Sequence, residues 1–431
     1  MKKLMGILLL FSSTIFAREI DLQEAIDLAL NNSKTLEKAS RNTKIGELNL
    51  GRAFKLALPT VAYQGNYTQA EHTTREMYFG GDTAINNSGV NKYDSKDGYT
   101  SKVVVTCPIF QGGAILGGIK GAKAQSNILD YNYLKEKANT RVNVIEIYSN
   151  ILTKEKNLKA LETSKLQLSS KYKEQEEKLK MELIIKADLL KTQYALLNVE
   201  SEIVKIKNEI NIGKKRLKIE TGINFLEEIE LEKINIPIEL SKSMNLKEDM
   251  EIAKNSSLNA LISKNSLEYK KAEKMVAFSD NLPKVNVFAE YGGIEKKHFS
   301  DTMNNEEWRG GVQVNWEFFS FGSGIDKYRV AKENYKIEEL NDSIVQDNIE
   351  IDITTAYSEV IRLEKLRKAN KSSLGASREN FNIDKERYSA GLISTQDFLD
   401  SEVQYREAKI NYNKAESDYL IAFEKYRTLL I

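Results

Sequence analysis

Apolar residues recur along this chain with two different periods. After Leu58-Pro59 they alternate, with Val61, Tyr63, Gly65 and Tyr67 on one side and Gln64, Asn66 and Thr68 on the other. Val103, Val105, Cys107 and Ile109 form a second alternating run that ends at Phe110. The pattern returns as Val285, Val287, Ala289 and Tyr291, then as Val312, Val314, Trp316 and Phe318, with Gln313, Asn315 and Glu317 opposite. Period two predicts strands, here over 59–71, 100–110, 283–294 and 309–319. About 12 residues is the length of a tilted membrane-spanning strand, so Val103, Val105, Val312, Val314 and Trp316 are candidate lipid-facing residues. An ordinary sheet with one solvated face fits the same alternation. Cys107 falls on the apolar side and reads as a small hydrophobe.

The rest of the chain has helical character. No proline interrupts Gly113 to Met181 or Gly322 to Ala390, and helices over 113–181 and 322–389 would each be about 100 Å long. Further helices are predicted over 184–220 and 394–430. In the last, Tyr405, Ala408, Tyr412, Ala415, Tyr419, Ala422, Tyr426 and Leu429 are spaced by three and four in turn. That is a heptad seam, and a strict seven-residue repeat implies helices supercoiled on neighbours. At this spacing the tyrosines read as core rather than as a ligand-stacking stripe.

Each of these elements occurs twice. Asp21-Leu22-Gln23-Glu24-Ala25 returns as Asn245-Leu246-Lys247-Glu248-Asp249, Leu58-Pro59 as Leu282-Pro283, and Leu183-Ile184-Ile185-Lys186-Ala187-Asp188 as Leu392-Ile393-Ser394-Thr395-Gln396-Asp397. The chain therefore divides into a first repeat over 18–220, an irregular join over 221–244 with Gly222 and Pro237, and a second repeat over 245–431. Polar turn segments, 73–97 and 296–305, link the two strand pairs, with His72 and His298 beside them. The fold class expected is an internally duplicated α+β membrane protein of long coiled-coil helices and four strands. Four strands cannot close a barrel, and lipid tolerates no open sheet edge. Several chains must then contribute, three of them giving 12 strands over a hollow helical cylinder.

Composition narrows the function. Among 431 residues there are 63 basic and 62 acidic side chains, a net charge of +1, which offers no excess of positive charge for nucleic acid. One Cys and two His exclude a disulfide framework and argue against a metal site or other cofactor. No nucleophile elbow or phosphate loop is present, so an enzyme is not expected. At the N-terminus Lys2 and Lys3 precede an apolar run from Leu4 to Phe11, and Ala17 offers a small residue for cleavage; residues 1–17 are an expected secretory signal peptide. No Cys follows Ala17, so no lipid acceptor is expected at a mature N-terminus.

Four segments in this order carry a resemblance: Leu22-Gln23-Glu24-Ala25-Ile26-Asp27-Leu28-Ala29-Leu30-Asn31-Asn32, Leu58-Pro59, Pro108-Ile109-Phe110-Gln111-Gly112-Gly113, and Tyr388-Ser389-Ala390-Gly391-Leu392-Ile393-Ser394 followed by Asp397-Phe398-Leu399-Asp400. Over essentially the whole mature chain the sequence resembles the TolC-like outer-membrane efflux proteins, the outer-membrane channels of tripartite efflux and type I secretion systems. The resemblance implies a homotrimer with a 12-stranded barrel in outer-membrane lipid and a periplasmic helical tunnel. It also implies docking onto a periplasmic adaptor (membrane fusion) protein fed by an inner-membrane transporter of RND or ABC type. The function implied is passive export, with small-molecule efflux favoured over type I protein secretion. A secreted coiled-coil envelope protein would explain the heptads but not the duplicated strand pairs.

The resemblance also singles out side chains. Asp397 and Asp400, three apart, share one side of a helix. The matching family positions form acid rings at the periplasmic constriction; six carboxylates around one axis would attract cations and raise one another's pKa. A solvated helix face is the plain alternative. Tyr388 and Asp188 match a closing contact between the two helix pairs. The family arginine two residues after the glycine is Ile393 here, so a clamp built on it is absent or replaced, and Glu182 stands where Gly391 does in the second copy. Leu183, Ile184, Gly391, Leu392 and Ile393 put apolar residues at helix tips; adaptor contact is the reading implied, local capping of the hairpin the alternative.

Overall fold

The computed structural model describes residues 18–68, 98–237, 239–295 and 307–431. The expected signal peptide, strand residues 69–71, the loops 73–97 and 296–305, and both histidines lie outside the described residues. A short strand β1 (Arg18–Ile20) leads to α1 (Leu22–Asn32), α2 (Lys34–Lys55), β2 (Thr60–Thr68), β3 (Gly98–Gln111), α3 (Ala114–Lys180) and α4 (Lys186–Thr221). The join contributes β4 (Ile229–Leu231) and a 3-10 turn at Leu240–Ser243. The order then repeats as α5 (Leu246–Ser256), α6 (Leu258–Ser279), β5 (Lys284–Glu295), β6 (Glu307–Asn315), α7 (Ser323–Ser389) and α8 (Thr395–Leu429). The helices match copy for copy, at 11, 22 and 67 residues, then 36 against 35. The same break recurs as well. Ser33 and Ser257 take extended backbone while their N–H groups still bond the carbonyls of Ala29 and Ala253. Among the described residues no helix is long and apolar enough to cross a membrane.

The chain forms two compact units, one of residues 45–127 and 265–340, the other of residues up to 44, 128–264 and 341–431. The first holds an antiparallel sheet in the order β2-β3-β5-β6. Its register aligns the alternating residues of both strand pairs on one face. Val61 stands beside Val105 and Ala289, Tyr63 beside Val103, Tyr291 and Trp308, and Cys107 beside Val287 and Val312. After a bulge between Pro108 and Phe110, the row Phe110, Val285, Val314 completes this face. Among the described residues both outer strands, β2 and β6, keep an unpaired edge.

β6 is shorter than its alternation predicts. Its last paired residue, Asn315, faces Lys284, the first residue of β5. The next partner would be Pro283, which has no N–H to offer the ladder. Trp316 is therefore not a strand residue; its indole Nε1 donates to the Asn281 carbonyl at 3.2 Å.

The second unit is held by three apolar clusters. One gathers Ile20, Val144, Tyr148, Ile151 and Leu217 beneath the parallel pair β1–β4. The buried Tyr148 hydroxyl lies 2.8 Å from the carbonyls of Ile20 and Glu232, and burial pushes its pKa up. A second packs Ile353, Val360, Tyr419 and Tyr426. Full burial of such side chains stabilises by about 1.5–3 kcal/mol each. Tyr419 and Tyr426 of the α8 seam are thus core, as the spacing predicts, while Tyr405 and Tyr412 are half-buried, and the polar end of Tyr419 holds the join. The Tyr419 hydroxyl accepts the Ser241 N–H and donates to Glu364. Buried Arg367 donates to the Pro237 carbonyl at 2.9 Å. The third cluster lies at the helix tips.

Candidate functional site

Two helical hairpins, α3–α4 and α7–α8, end in the same turn. In the first, the Leu183 N–H bonds the Lys178 carbonyl and the Glu182 N–H bonds Leu179; in the second, Leu392 bonds Arg387 and Gly391 bonds Tyr388. Each is a Schellman termination, which needs a left-handed residue after the helix. Gly391 supplies it at φ 73°, and Glu182 adopts it at φ 59° despite its side chain. The residue after the left-handed one normally folds back on an apolar side chain of the last turn. Here those last-turn positions are Lys178 and Arg387, and Leu183 and Leu392 are left 67% and 70% exposed. Ile185 is exposed too, whereas Ile184 is half-buried. Ile393 packs on the tip cluster of Leu161, Leu168, Val199, Phe381 and Phe398, so it contributes to hairpin capping.

The two hairpins are joined by a buried polar group. Gln175 of α3, only 1% exposed, donates its amide Nε2 to the Tyr388 hydroxyl at 2.7 Å. That hydroxyl lies 3.2 Å from Thr395 Oγ1, and the Tyr388 ring stacks on Phe398 at 5.0 Å. Lys171 Nζ stands 4.6 Å over the same ring. Gln175 Oε1 is buried with no hydrogen-bond partner among the described residues, a cost to the packed arrangement. Within this chain Asp188 is not the partner of Tyr388. It faces Lys191 at 3.6 Å, while the phenol is occupied by Gln175 and Thr395. Sequence reading missed Gln175 because one amide inside a heptad pattern carries no local signal.

Asp397 and Asp400 are both exposed on the first turns of α8. Asp397 forms a capping box with Ser394, accepting its hydroxyl at 2.8 Å and its backbone N–H at 3.1 Å. These bonds hold the Asp397 carboxyl below its ordinary value. Asp400 accepts from Gln396 Nε2 at 2.8 Å. On the sheet, Val103, Val312 and Val314 are exposed and Val105 half-buried. The opposite face carries Gln64, Asn286 and Gln313 with an ion group in which Glu290 pairs with Lys102 at 3.0 Å and with Arg309. No group of side chains suited to a metal occurs among the described residues.

Duplicated helical hairpins in one unit and an antiparallel sheet in the other, apolar on one face and polar on the opposite one, are the parts of a membrane channel subunit. Comparison with known sequences agrees: the outer membrane efflux protein family matches residues 25–222 and 255–430, one segment per repeat, and the chain belongs to that family. Its place is the outer membrane, with the helical part in the periplasm. The fold is similar to that of the Campylobacter jejuni CmeC outer membrane channel, at 18% identity, TM-score 0.78, covering 95% of this chain and 85% of that one. It is also similar to the outer membrane protein VceC of Vibrio cholerae, at 13% identity, TM-score 0.79 and 95% of both chains. The Neisseria gonorrhoeae MtrE outer membrane channel matches at 14% identity, TM-score 0.73, with 95% and 88% covered. No curated protein sequence matches the chain.

Proposed function

We propose that this protein is a passive export duct rather than an enzyme, and that three copies close one channel through the outer membrane. The observation that carries this reading is the sheet. Among the described residues it has two unpaired edges, an exposed apolar face and a polar face, and in lipid only edge-to-edge closure with other copies satisfies the outer strands. The polar face would line the pore. Small-molecule efflux is favoured by the efflux description of the matched family; a duct for type I protein secretion is the alternative. The exposed Leu183 and Leu392, at matching places in both repeats, suit contact with a periplasmic adaptor serving an inner-membrane transporter. Asp397 and Asp400 would project six carboxylates around the axis of a trimer. The Gln175–Tyr388–Thr395 group would hold the hairpins together where a clamp using Ile393 cannot exist. Reconstitution into planar bilayers tests the proposal. Discrete cation-preferring conductance steps from a heat-modifiable oligomer are expected, and a protein that leaves the bilayer sealed contradicts it.

A further inference from the structure

In the unit that holds the sheet, α3, α6 and α7 enclose a cleft of about 600 Å³, a volume typical of ligand pockets. At the end far from the sheet, Asn127 of α3 donates its Nδ2 to Asn265 Oδ1 of α6 at 2.9 Å and closes the cleft. At the near end Phe278 meets Tyr328 edge-on at 5.4 Å. Ala124, Ala272 and Met275 complete an apolar lining.

Four lysines surround this lining, Lys120 and Lys123 of α3 with Lys271 and Lys274 of α6. Against them stands one acid, Glu268, to which Lys271 Nζ donates at 3.4 Å. Four lysines less one glutamate leave the cleft at +3, in a chain whose 63 basic and 62 acidic side chains nearly cancel. Lys274 Nζ lies over the Tyr335 ring at 4.2 Å. Lys120 and Lys123 are exposed and meet no carboxylate among the described residues. Counted from Leu282-Pro283 as from Leu58-Pro59, Lys271 and Lys274 answer to Glu47 and Leu50. The duplication therefore does not impose these lysines.

The cleft lies beside the end of the sheet. Gly112 follows β3 at the start of α3, and a Cβ there would come within 2.5 Å of the Ser279 carbonyl at the end of α6. Asn281 Nδ2 bonds the Gly324 carbonyl at 3.3 Å and brings the start of α7 to the same level. Lys120 and Lys274 are six and five residues from the helix ends Ala114 and Ser279, about 8–9 Å along the axis. A headgroup layer is about 5–8 Å deep on each side of the hydrocarbon, and a lysine stem can run along apolar surface to bring its ammonium to that layer.

We propose that the cleft seats an acidic phospholipid of the leaflet on the helix side, its phosphate held by the lysines and the start of one acyl chain laid on Met275, Phe278 and Tyr328. This rests on the lipid-facing reading of the sheet, from whose end the cleft continues. An anionic headgroup gains about fivefold in binding per nearby lysine at low salt, a gain that a zwitterionic lipid does not share. Inorganic phosphate and a neighbouring copy of the chain are the other occupants to be tested.

Local quenching decides among them. In the full protein carrying W308F and W316F, Phe278→Trp places a reporter in the cleft; in a second protein Val312→Trp places one on the sheet. Both are reconstituted in phosphatidylcholine vesicles with rising mole fractions of brominated-chain phosphatidylglycerol or, separately, brominated-chain phosphatidylcholine. The cleft reporter should reach half-maximal quenching at an at least fivefold lower mole fraction of the phosphatidylglycerol. Lys120→Gln with Lys123→Gln should close that gap to within twofold. Lys332→Gln with Lys336→Gln, exposed on α7 outside the cleft, should leave it open. The Val312→Trp reporter should be quenched equally by both lipids. If it is, while the cleft reporter shows no preference or escapes both lipids because another copy covers it, the lipid seat is wrong and the sheet reading stands. Loss of the preference on adding inorganic phosphate, but not chloride of the same ionic strength, assigns the cleft to free anions and overturns the seat. If the Val312→Trp reporter also escapes both lipids, the lipid-facing sheet fails and the seat with it.

Discussion

Removing one hydroxyl at the hairpin tips should open the channel. Tyr388→Phe keeps the ring that stacks on Phe398 at 5.0 Å and lies 4.6 Å from Lys171 Nζ. It deletes the acceptor of the 2.7 Å bond from Gln175 and the contact with Thr395. The Gln175 amide then stays buried with only Thr395 at 3.4 Å, and its Oε1 is already unpartnered. Leaving a buried donor unsatisfied costs about 1–3 kcal/mol, which shifts the balance between packed and parted hairpins by roughly 5- to 150-fold per chain. In a trimer the effect multiplies. Single-channel recording in planar bilayers should show higher conductance and longer open times for Tyr388→Phe. Adding Gln175→Leu removes the stranded amide, and replacing both partners by apolar groups is close to neutral. The double variant should therefore return toward the wild-type conductance, a non-additive result typical of residues in contact. Wild-type conductance in Tyr388→Phe, or no reversal by Gln175→Leu, would refute the role given to this pair. Asp188→Ala separates a further case: bonded to neither residue within the chain, it changes conductance only if its partner lies on another copy.

Three more perturbations follow from the geometry. Val312→Arg, on the exposed apolar face, should cost about 2–4 kcal/mol at the bilayer midplane, while Gln313→Arg on the polar face should be tolerated; folding yield in vesicles measures both, and equal tolerance would count against a lipid-facing sheet. Ala415 is 2% exposed in the α8 seam, so Ala415→Trp should lose about 1–3 kcal/mol by overpacking, seen as a lowered melting temperature that exposed Lys414→Glu does not share. Asp397→Ala with Asp400→Ala should abolish block by multivalent cations. Within one chain the bonds from Ser394 depress the Asp397 pKa, so that carboxylate by itself keeps its charge below the usual aspartate range and loses it as pH falls through the depressed value, whereas crowding in a ring of six would act in the opposite direction.

Long-range regularity made most of the fold readable. The helices expected over 113–181 and 322–389 are Ala114–Lys180 and Ser323–Ser389, because these stretches contain no proline to break a helix and are rich in good helix formers. Val103, Val105, Val312 and Val314 share one face because strand period and antiparallel register must agree once the pairs align. What escaped was set by contacts distant in sequence. The pairing of β1 with β4 joins segments of three residues too short to carry a pattern. The end of β6 depends on Pro283 of its neighbour, while its own alternation runs on through Trp316 and Phe318. At the tips Tyr388 was legible and its partner was not, since nothing local distinguishes Gln175 from the other polar residues of α3.

The central claim is that the open edges β2 and β6 meet between copies. Cysteines placed at Ala62 of β2 and Gln313 of β6, in a chain whose Cys107 is replaced by serine, can be joined in the membrane by a short bifunctional linker. Denaturing electrophoresis should then show bands of two and three chains and none larger, with neither appearing when only one cysteine is present. Monomer alone after cross-linking, or a ladder that runs on past three, would contradict the account.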